Sequence, residues 1–437
     1  MFGYYLDLAL RSLRRNPALT GLMVLAIAFG VGASMTTYSV FRAVSGDPIP
    51  WKSSRLFVPQ IDLFGPTAAA KTSNEPQDLV SYKDALAITR AHRAHFQSAM
   101  YNIAPSIDPA SPGSRPREVM GHAVQWEFFP MVDAPFVYGH AWSADEDAAH
   151  AKVAVISSRL NDRQFKGEDS TGREIILDGK PYRIVGVLDH FTPEPLFYDV
   201  ANRNFGEPDD VFLPFATAID AQSTNTGNYN CARSPLEEGF SGTLTAECAW
   251  IAVMVQLDST ADATAYRQWL DGYTDGQRQA GRFSWASNNR LRNLPAWLDF
   301  KQVAPPDTKV SLLVALGLLV VCMVNTIGLM LAKFMRRSGE IGVRRALGAS
   351  RLQIAVQFTV EAAVLGFTGG LLGVAMTWIG MTAMRAVLPE DIAALARMDG
   401  SLLSLTLCMA VLATVVAGLY PTLRATWVRP ALQLKSN

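Results

Sequence analysis

The sequence is poor in the residues from which active sites are built. It has four cysteines and six histidines in 437 residues. No GxxxxGK[ST] run occurs, so these residues offer ATP no phosphate-binding loop of that kind. No HExxH or CxxC spacing is present to hold a metal, and no GxSxG elbow presents a serine nucleophile. His92 and His95 stand three apart with no third ligand nearby in sequence, and read as the exposed face of a helix. Asp145, Glu146 and Asp147 read as a solvated loop, not a calcium site. Net charge is zero at neutral pH, which removes any global bias toward nucleic acid. No catalytic constellation emerges, and no metal site or resident cofactor is expected. The chain is read as a non-enzyme.

What the sequence does have is apolar runs. Hydrophobic residues make up 49% of it, concentrated in four stretches of the roughly 20 residues that a helix needs to cross hydrocarbon. The divisions are an amphipathic helix at 1–18, spans at 19–44, 310–334, 351–388 and 402–421, and a large domain at 45–309. Residues 335–350 form a short basic connection between the second and third spans. A short loop at 389–401 precedes the fourth, and a tail occupies 422–437. The first run has arginines before it and small residues at Gly32, Ala33 and Ser34, but it continues to Val44 and is read as a retained span.

Orientation follows from Lys and Arg near the span ends. One side carries Arg11, Arg14, Arg15, Lys333, Arg336, Arg337, Arg344, Arg345, Arg351, Arg424, Arg429 and Lys435, against two acids, Asp7 and Glu340. That side is expected to be cytoplasmic, with both termini inside and the large domain outside. In the domain, 81–100 has a helical pattern, and "KVAVIS" and "WIAVMVQL" read as strands. "REIILDGKPYRIVGVL" reads as a hairpin turning at Asp178-Gly179. A helix is expected around 261–277. Each flank contributes a βα unit around a hairpin-rich middle, and 104–118 and 223–243 read as loops. Cys322 and Cys408 fall inside spans. Cys231 and Cys248 fall in the outer domain, where an oxidising compartment favours a disulfide.

Small residues cluster in the spans: Gly30 and Gly32 in the first, Gly366, Gly370 and Gly373 in the third. Such surfaces allow close helix approach, in a dimer interface or within the chain. Glu361 lies ten residues past Arg351, about 15 Å along a helix. At membrane depth a carboxylate is expensive and marks a functional polar site. If the helix first runs along the interface, Glu361 is hydrated or paired with a lysine or arginine instead.

"RRSGEIGVRRALGAS" (336–350) carries its own punctuation. Glu340 precedes Arg344 by four, the favourable order for a helical ion pair. Gly348 suits a left-handed helix end, and Ser350 with Gln353 forms a capping box for the next helix. The segment is a helix, an elbow and a new helix, a shape suited to docking in a partner's groove.

The run from Arg336 to Gly373, "RRSGEIGVRRALGASRLQIAVQFTVEAAVLGFTGGLLG", resembles the signature of FtsX-like permeases, the membrane subunits of MacB-type ABC transporters. "GLYPTLRATWVRPALQLK", "NPALTGLMVLAIAFGVGASMTTYSVFRAV" and "VAVISSRLNDRQF" with the following hairpin are similar to other parts of the same family. The resemblance implies a four-helix membrane part plus a large α+β periplasmic domain, with a porter-like βα portion and an inserted β-rich subdomain. It implies a bacterial inner-membrane location. The permease would transmit motion from a separate cytoplasmic ATPase, which would bind the ATP and magnesium. The connection would be the coupling helix, with Glu340, Ile341, Arg344, Arg345, Leu347 and Gly348 as its ATPase-coupling residues. A second permease copy, identical or related, is implied, together with a periplasmic adaptor and an outer-membrane channel, for efflux of a peptide, antibiotic or similar compound. Lipoprotein release and control of a hydrolase or an antimicrobial sensor are the alternatives within the family.

Overall fold

The computed structural model describes residues 2–66, 74–108, 115–385 and 399–426. Most of the 389–401 loop and of the basic tail, Arg429 and Lys435 included, lies outside the described residues, as do 109–114 of the loop read at 104–118. The chain divides into two compact units, Met1–Ser45 with Ala304–Asn437, and Gly46–Val303. The helices used below are α1 (Phe2–Arg15), α2 (Pro17–Ser45), α3 (Tyr82–Ala91), α4 (Thr260–Gln279), α5 (Pro306–Arg336), α6 (Ser338–Ala346), α7 (Arg351–Arg385) and α8 (Gly400–Thr426).

In the first unit α2, α5, α7 and α8 are each long and apolar enough to cross a membrane. α7 packs against α2 and α8, and α5 against α2. The small residues make this possible. A Cβ on Gly30 would lie 2.8 Å from the Cβ of Cys322 in α5, and one on Gly32 2.7 Å from that of Met376 in α7. On Gly366 it would meet the Thr414 hydroxyl in α8 at 2.0 Å, and on Gly370 the Ala410 methyl at 2.9 Å. Gly373 faces Ala28 and Val31 of α2 at ordinary contact distance. All five glycines therefore serve contacts inside the chain. Hydroxyls add to the seams: Ser34 donates to Ala315 O across to α5 at 2.9 Å.

The unit Gly46–Val303 is built on one mixed sheet. Its strands begin with β1 (Leu56–Gln60), β2 (Phe96–Ile103), β3 (Ser106–Ile107), β4 (Arg117–Glu118), β5 (Gly121–Val124), β6 (Phe136–Gly139) and β7 (Val153–Ser157). They continue with β8 (Glu174–Leu177), β9 (Lys180–Leu188), β10 (Val211–Pro214), the small separate pair β11 (Asn230–Cys231) and β12 (Cys248–Ala249), then β13 (Ala252–Gln256) and β14 (Arg290–Asn293). Among the described residues the order is β14-β1-β13-β2-β5-β10-β7-β9-β8-β3-β4, with β6 beside β9. The flanks supply one end (β14, β1, β13, β2) and the middle of the domain supplies the other. The β2–β5 ladder joins them, and β5–β10 and β7–β9 are the parallel pairs.

The hairpin turns at Asp178 and Gly179, both at positive φ (48° and 71°), the backbone that a two-residue turn matched to strand twist requires. The helical pattern read across 81–100 breaks in the middle. Ser81 caps α3 by accepting from Asp84 N at 3.2 Å, but His92 adopts a left-handed φ of 44° and ends it. The remainder becomes β2, buried along almost its whole length. Burial on both sides removed the alternation that would have marked a strand. His92 and His95 therefore do not share a helix face; His95 pairs with Asp258. The acidic run at 145–147 is a short capped helix, with Ser143 and Glu146 forming its capping box. The stretch read as loop at 223–243 includes β11 and most of a helix at Gly239–Thr245. The core gathers where Tyr101 meets Trp250 edge to face, ring centroids 5.0 Å apart. Ile88 of α3 and Leu270 of α4, both fully buried, belong to it.

A second feature of this unit is a buried charge cluster. His122 on β5 is 1% exposed and lies between Asp209 (Nδ1 to Oδ2, 2.9 Å) and Asp199 (Nε2 to Oδ1, 3.4 Å). Arg203 joins both aspartates, at 2.7 and 2.5 Å. Tyr198 donates to Asp209 and Asn102 to Asp199, each at 2.7 Å. Burial pulls the imidazole pKa down, but Asp209 and Asp199 outweigh it and lift it to about 9. Burial likewise pushes Asp209 up, and His122 and Arg203 overcome it, bringing it to about 2. The cluster pins 196–209 onto the sheet.

Candidate functional site

The connection between α5 and α7 is shaped by local signals. Arg337 is the hinge residue between α5 and α6. α6 ends where Gly348 takes φ +101°, a backbone that residues with a Cβ rarely adopt. Ser350 and Gln353 then cap α7 reciprocally, Ser350 N donating to Gln353 Oε1 at 2.8 Å and Gln353 N to Ser350 Oγ at 3.2 Å. Arg344 bonds Glu340 at 2.7 Å and Gln357 at 2.9 Å, which ties α6 to α7. Arg15 of α1 approaches Glu340 at 3.6 Å.

This arrangement sorts the six residues singled out by resemblance. Ile341 is 5% exposed and packs with Phe334, Ile354 and Phe358, so it anchors the short helix and presents nothing outward. Glu340 and Arg344 are half-buried and engaged with each other. Arg345 is half-buried, and Leu347 is 83% exposed. Sequence reasoning missed Val343, Leu352 and Met335, at 51%, 72% and 68% exposure. Val343 and Leu347 are four apart and so share a face of the turn. Apolar residues in a basic connection were the available signal.

Behind the elbow lies a buried ion cluster. Glu361 of α7 is 1% exposed, Lys333 of α5 1%, and Ser12 of α1 3%. Lys333 Nζ pairs with Glu361 Oε1, and Ser12 Oγ donates to the same oxygen at 2.5 Å. Arg337 donates to Ser12 Oγ at 2.6 Å and stands 3.8 Å from Glu361 Oε2, which accepts no hydrogen bond among the described residues. Glu361 is thus paired and buried, not hydrated. α1 does more than lie on lipid. Ala9, Ser12 and Leu13 are buried, and α1 packs on α7, while Tyr4, Leu6 and Leu10 stay exposed. Nothing in the local pattern around Ser12 or Lys333 marks them as Glu361's partners, which lie 349 and 28 residues away. Among the described residues no group of three or more His, Cys, Asp or Glu is arranged to hold a metal.

Four spans, a large mixed α/β domain and a capped helical elbow between the second and third spans define a multi-pass membrane permease. Residues 20–273 match the MacB-like periplasmic core domain and residues 312–430 the FtsX-like permease C-terminal region, and the chain belongs to this permease family of ABC transporters. It is 24% identical to the macrolide export ATP-binding/permease protein MacB of Azoarcus sp. (strain BH72), over 98% of this chain and 59% of that protein. It is 25% identical to the protein of the same name from Rhodospirillum rubrum, over 100% of this chain and 61% of that one. The chain thus spans about three-fifths of the length of these curated relatives. A solved structure of the periplasmic region of MacB from Actinobacillus actinomycetemcomitans aligns over 58% of this chain and 94% of its own, at 11% identity and a TM-score of 0.37.

Proposed function

We propose that the chain receives ATP-driven motion from a separate ATPase at α6 and passes it to the domain Gly46–Val303, driving efflux of a peptide, antibiotic or similar compound. ATP and magnesium would bind in that partner. In this reading the elbow is cytoplasmic, as its arginines favour, and the domain is periplasmic. A second permease copy, an adaptor and an outer-membrane channel complete the proposed assembly. The observation that carries the reading is the capped, internally braced α6 with Val343 and Leu347 facing outward. A braced helix with an exposed apolar ridge transmits a push without first having to be ordered.

The test is a Val343→Asp, Leu347→Asp double variant, purified in mild detergent from its own cells. Both side chains are exposed, so folding and membrane insertion should persist while an ATPase subunit copurifying with the wild type is lost. Undiminished copurification and compound efflux would defeat the proposal. Labelling of introduced cysteines on whole cells with a membrane-impermeant maleimide checks the orientation: Leu236→Cys should react and Leu347→Cys should not.

A further inference from the structure

The segment between Cys231 and Cys248 has no part in the coupling just described. The two cysteines form a disulfide at the base of the β11–β12 ladder. The base is held on the domain. Asn228 N donates to Asn202 Oδ1 and Asn228 Nδ2 to Ala201 O, both at 2.7 Å. Next to β12, Trp250 is buried between Tyr101 and Phe240, and Glu247 is bonded by Arg282 at 2.6 Å. The loop is also folded tightly on itself. A Cβ on Gly242 would sit 1.9 Å from Glu237 O, so the helix Gly239–Thr245 can close on the Glu237 backbone only with glycine there.

On this braced base stand a knob and a hole. Leu236 is fully exposed. Beside it opens a cleft of about 640 Å³ whose walls include Tyr229, Pro235, Phe240 and Trp250, with Glu237 and Glu238 on its lining. Both glutamates are exposed and make no ion pair among the described residues. The indole N–H of Trp250 is buried without a hydrogen-bond partner among the described residues. An anionic or wholly apolar occupant would desolvate the two carboxylates with nothing to offset the cost. A lysine or arginine fits both halves of the lining. Its stem lies along the aromatic wall and its charge meets the carboxylates. A small cation could fill the hole, but it could not receive the leucine next to it. We propose that this disulfide-closed loop is a docking surface for a second protein, which inserts a basic side chain into the cleft and covers Leu236 with an apolar pocket of its own.

The hole is tested with the full chain in phosphatidylcholine nanodiscs. The probe is a fluorescent peptide of sequence Gly-Lys-Leu-Lys-Phe-Gly, with its Glu-for-Lys counterpart as control. The basic peptide should bind and the acidic one should not. Because both glutamates line the cleft, Glu237→Lys with Glu238→Lys should weaken binding by about tenfold or more. Absent binding, or binding indifferent to that reversal, overturns the site. The knob is tested in cells with a benzoylphenylalanine photo-crosslinker at Leu236. The expected adduct joins one protein through a segment that bears Lys or Arg beside an apolar residue, and it is lost in the charge-reversed chain. An adduct with lipid or with a second copy of this chain overturns the proposal, as does one that survives charge reversal. Melting temperatures within a degree or two of wild type show that the variants fold.

Discussion

The carboxylates of Asp199 and Asp209, in the domain Gly46–Val303, are satisfied on every oxygen by His122, Arg203, Tyr198, Asn102 and Asn202. In the membrane unit Glu361 shares one oxygen between Lys333 and Ser12, and leaves the other without a hydrogen bond among the described residues, 3.8 Å from Arg337. The first cluster fastens one loop to one sheet. The second joins three helices, α1, α5 and α7, directly behind the elbow. A fully satisfied network resists rearrangement because every shift breaks a bond. One with a vacant acceptor can exchange partners at lower cost. The domain's cluster is built as a clamp, and the membrane cluster as a joint.

The largest effect follows from breaking the joint on one side. Lys333→Met leaves a buried carboxylate with Ser12 and a distant arginine, and should cost about 3–5 kcal/mol. Replacing both partners, Lys333→Met with Glu361→Leu, removes the charges together and should restore most of that stability. Thermal unfolding of the full chain in detergent, followed by size-exclusion recovery, reads both. If the double variant is no more stable than the single one, the pair is not what makes Glu361 tolerable inside the unit.

The clamp breaks through pH. His122 has its pKa raised from 6.5 to about 9 in the folded chain. Its contribution is therefore complete below about pH 6.5 and is lost as pH rises through about 9. The full effect is on the order of 3 kcal/mol. Asp209 reports the acid side of the same contact, with stability present above 3.8 and lost as pH falls toward about 2. His122→Asn should lower stability near neutrality and flatten the alkaline limb. Unfolding of the wild type and the variant between pH 6.5 and 9 decides it. Parallel curves would mean that His122 is not held charged.

The two clusters also show what a sequence can carry. Turns and caps were legible because their causes are local. Asp178-Gly179 and the Gly348, Ser350, Gln353 series each determine backbone geometry within a few residues. The four spans were legible from length and apolarity. β2 was not, because a strand buried on both faces has no alternation and the preceding helix pattern ran into it. Neither cluster was legible as a cluster. His122 meets Asp209 across 87 residues and Ser12 meets Glu361 across 349, so only the fold brings them together. Glu361 stood out as a lone acid in an apolar run, but its partners did not. Ile341 was singled out by resemblance alone; that it packs inward against Phe334, Ile354 and Phe358 rests on neighbours that a nine-residue segment does not reveal.

Packing in the membrane unit offers a smaller effect with an internal control. Gly366→Ala puts a methyl 2.0 Å from the Thr414 hydroxyl, with the Val411 Cα at 2.8 Å. Overpacking of that kind costs about 1–3 kcal/mol. Gly317→Ala in α5 meets nothing within 4 Å among the described residues, and alanine is the better helix former, so it should be neutral or slightly stabilising. Melting of the two variants side by side separates close approach from helix propensity. Equal losses would show that the α7–α8 seam relaxes more freely than its geometry implies.

The smallest expected effect lies at the elbow, and its size is what makes it useful. Glu340 and Arg344 are 2.7 Å apart with side chains 38% and 35% exposed. A pair at that spacing and exposure contributes about 0.3–0.5 kcal/mol. Glu340→Ala removes it together with the longer contact to Arg15, while Arg344 keeps its bond to Gln357. Its melting temperature should therefore barely move. Under the proposed coupling, ATP hydrolysis by the partner should still fall in the reconstituted pair, because α6 loses part of its brace without losing its fold. A variant that melts like wild type but couples poorly assigns the loss to the contact between the two proteins. Unchanged hydrolysis would shift the grip to Val343 and Leu347, whose exposed side chains owe nothing to the ion pair.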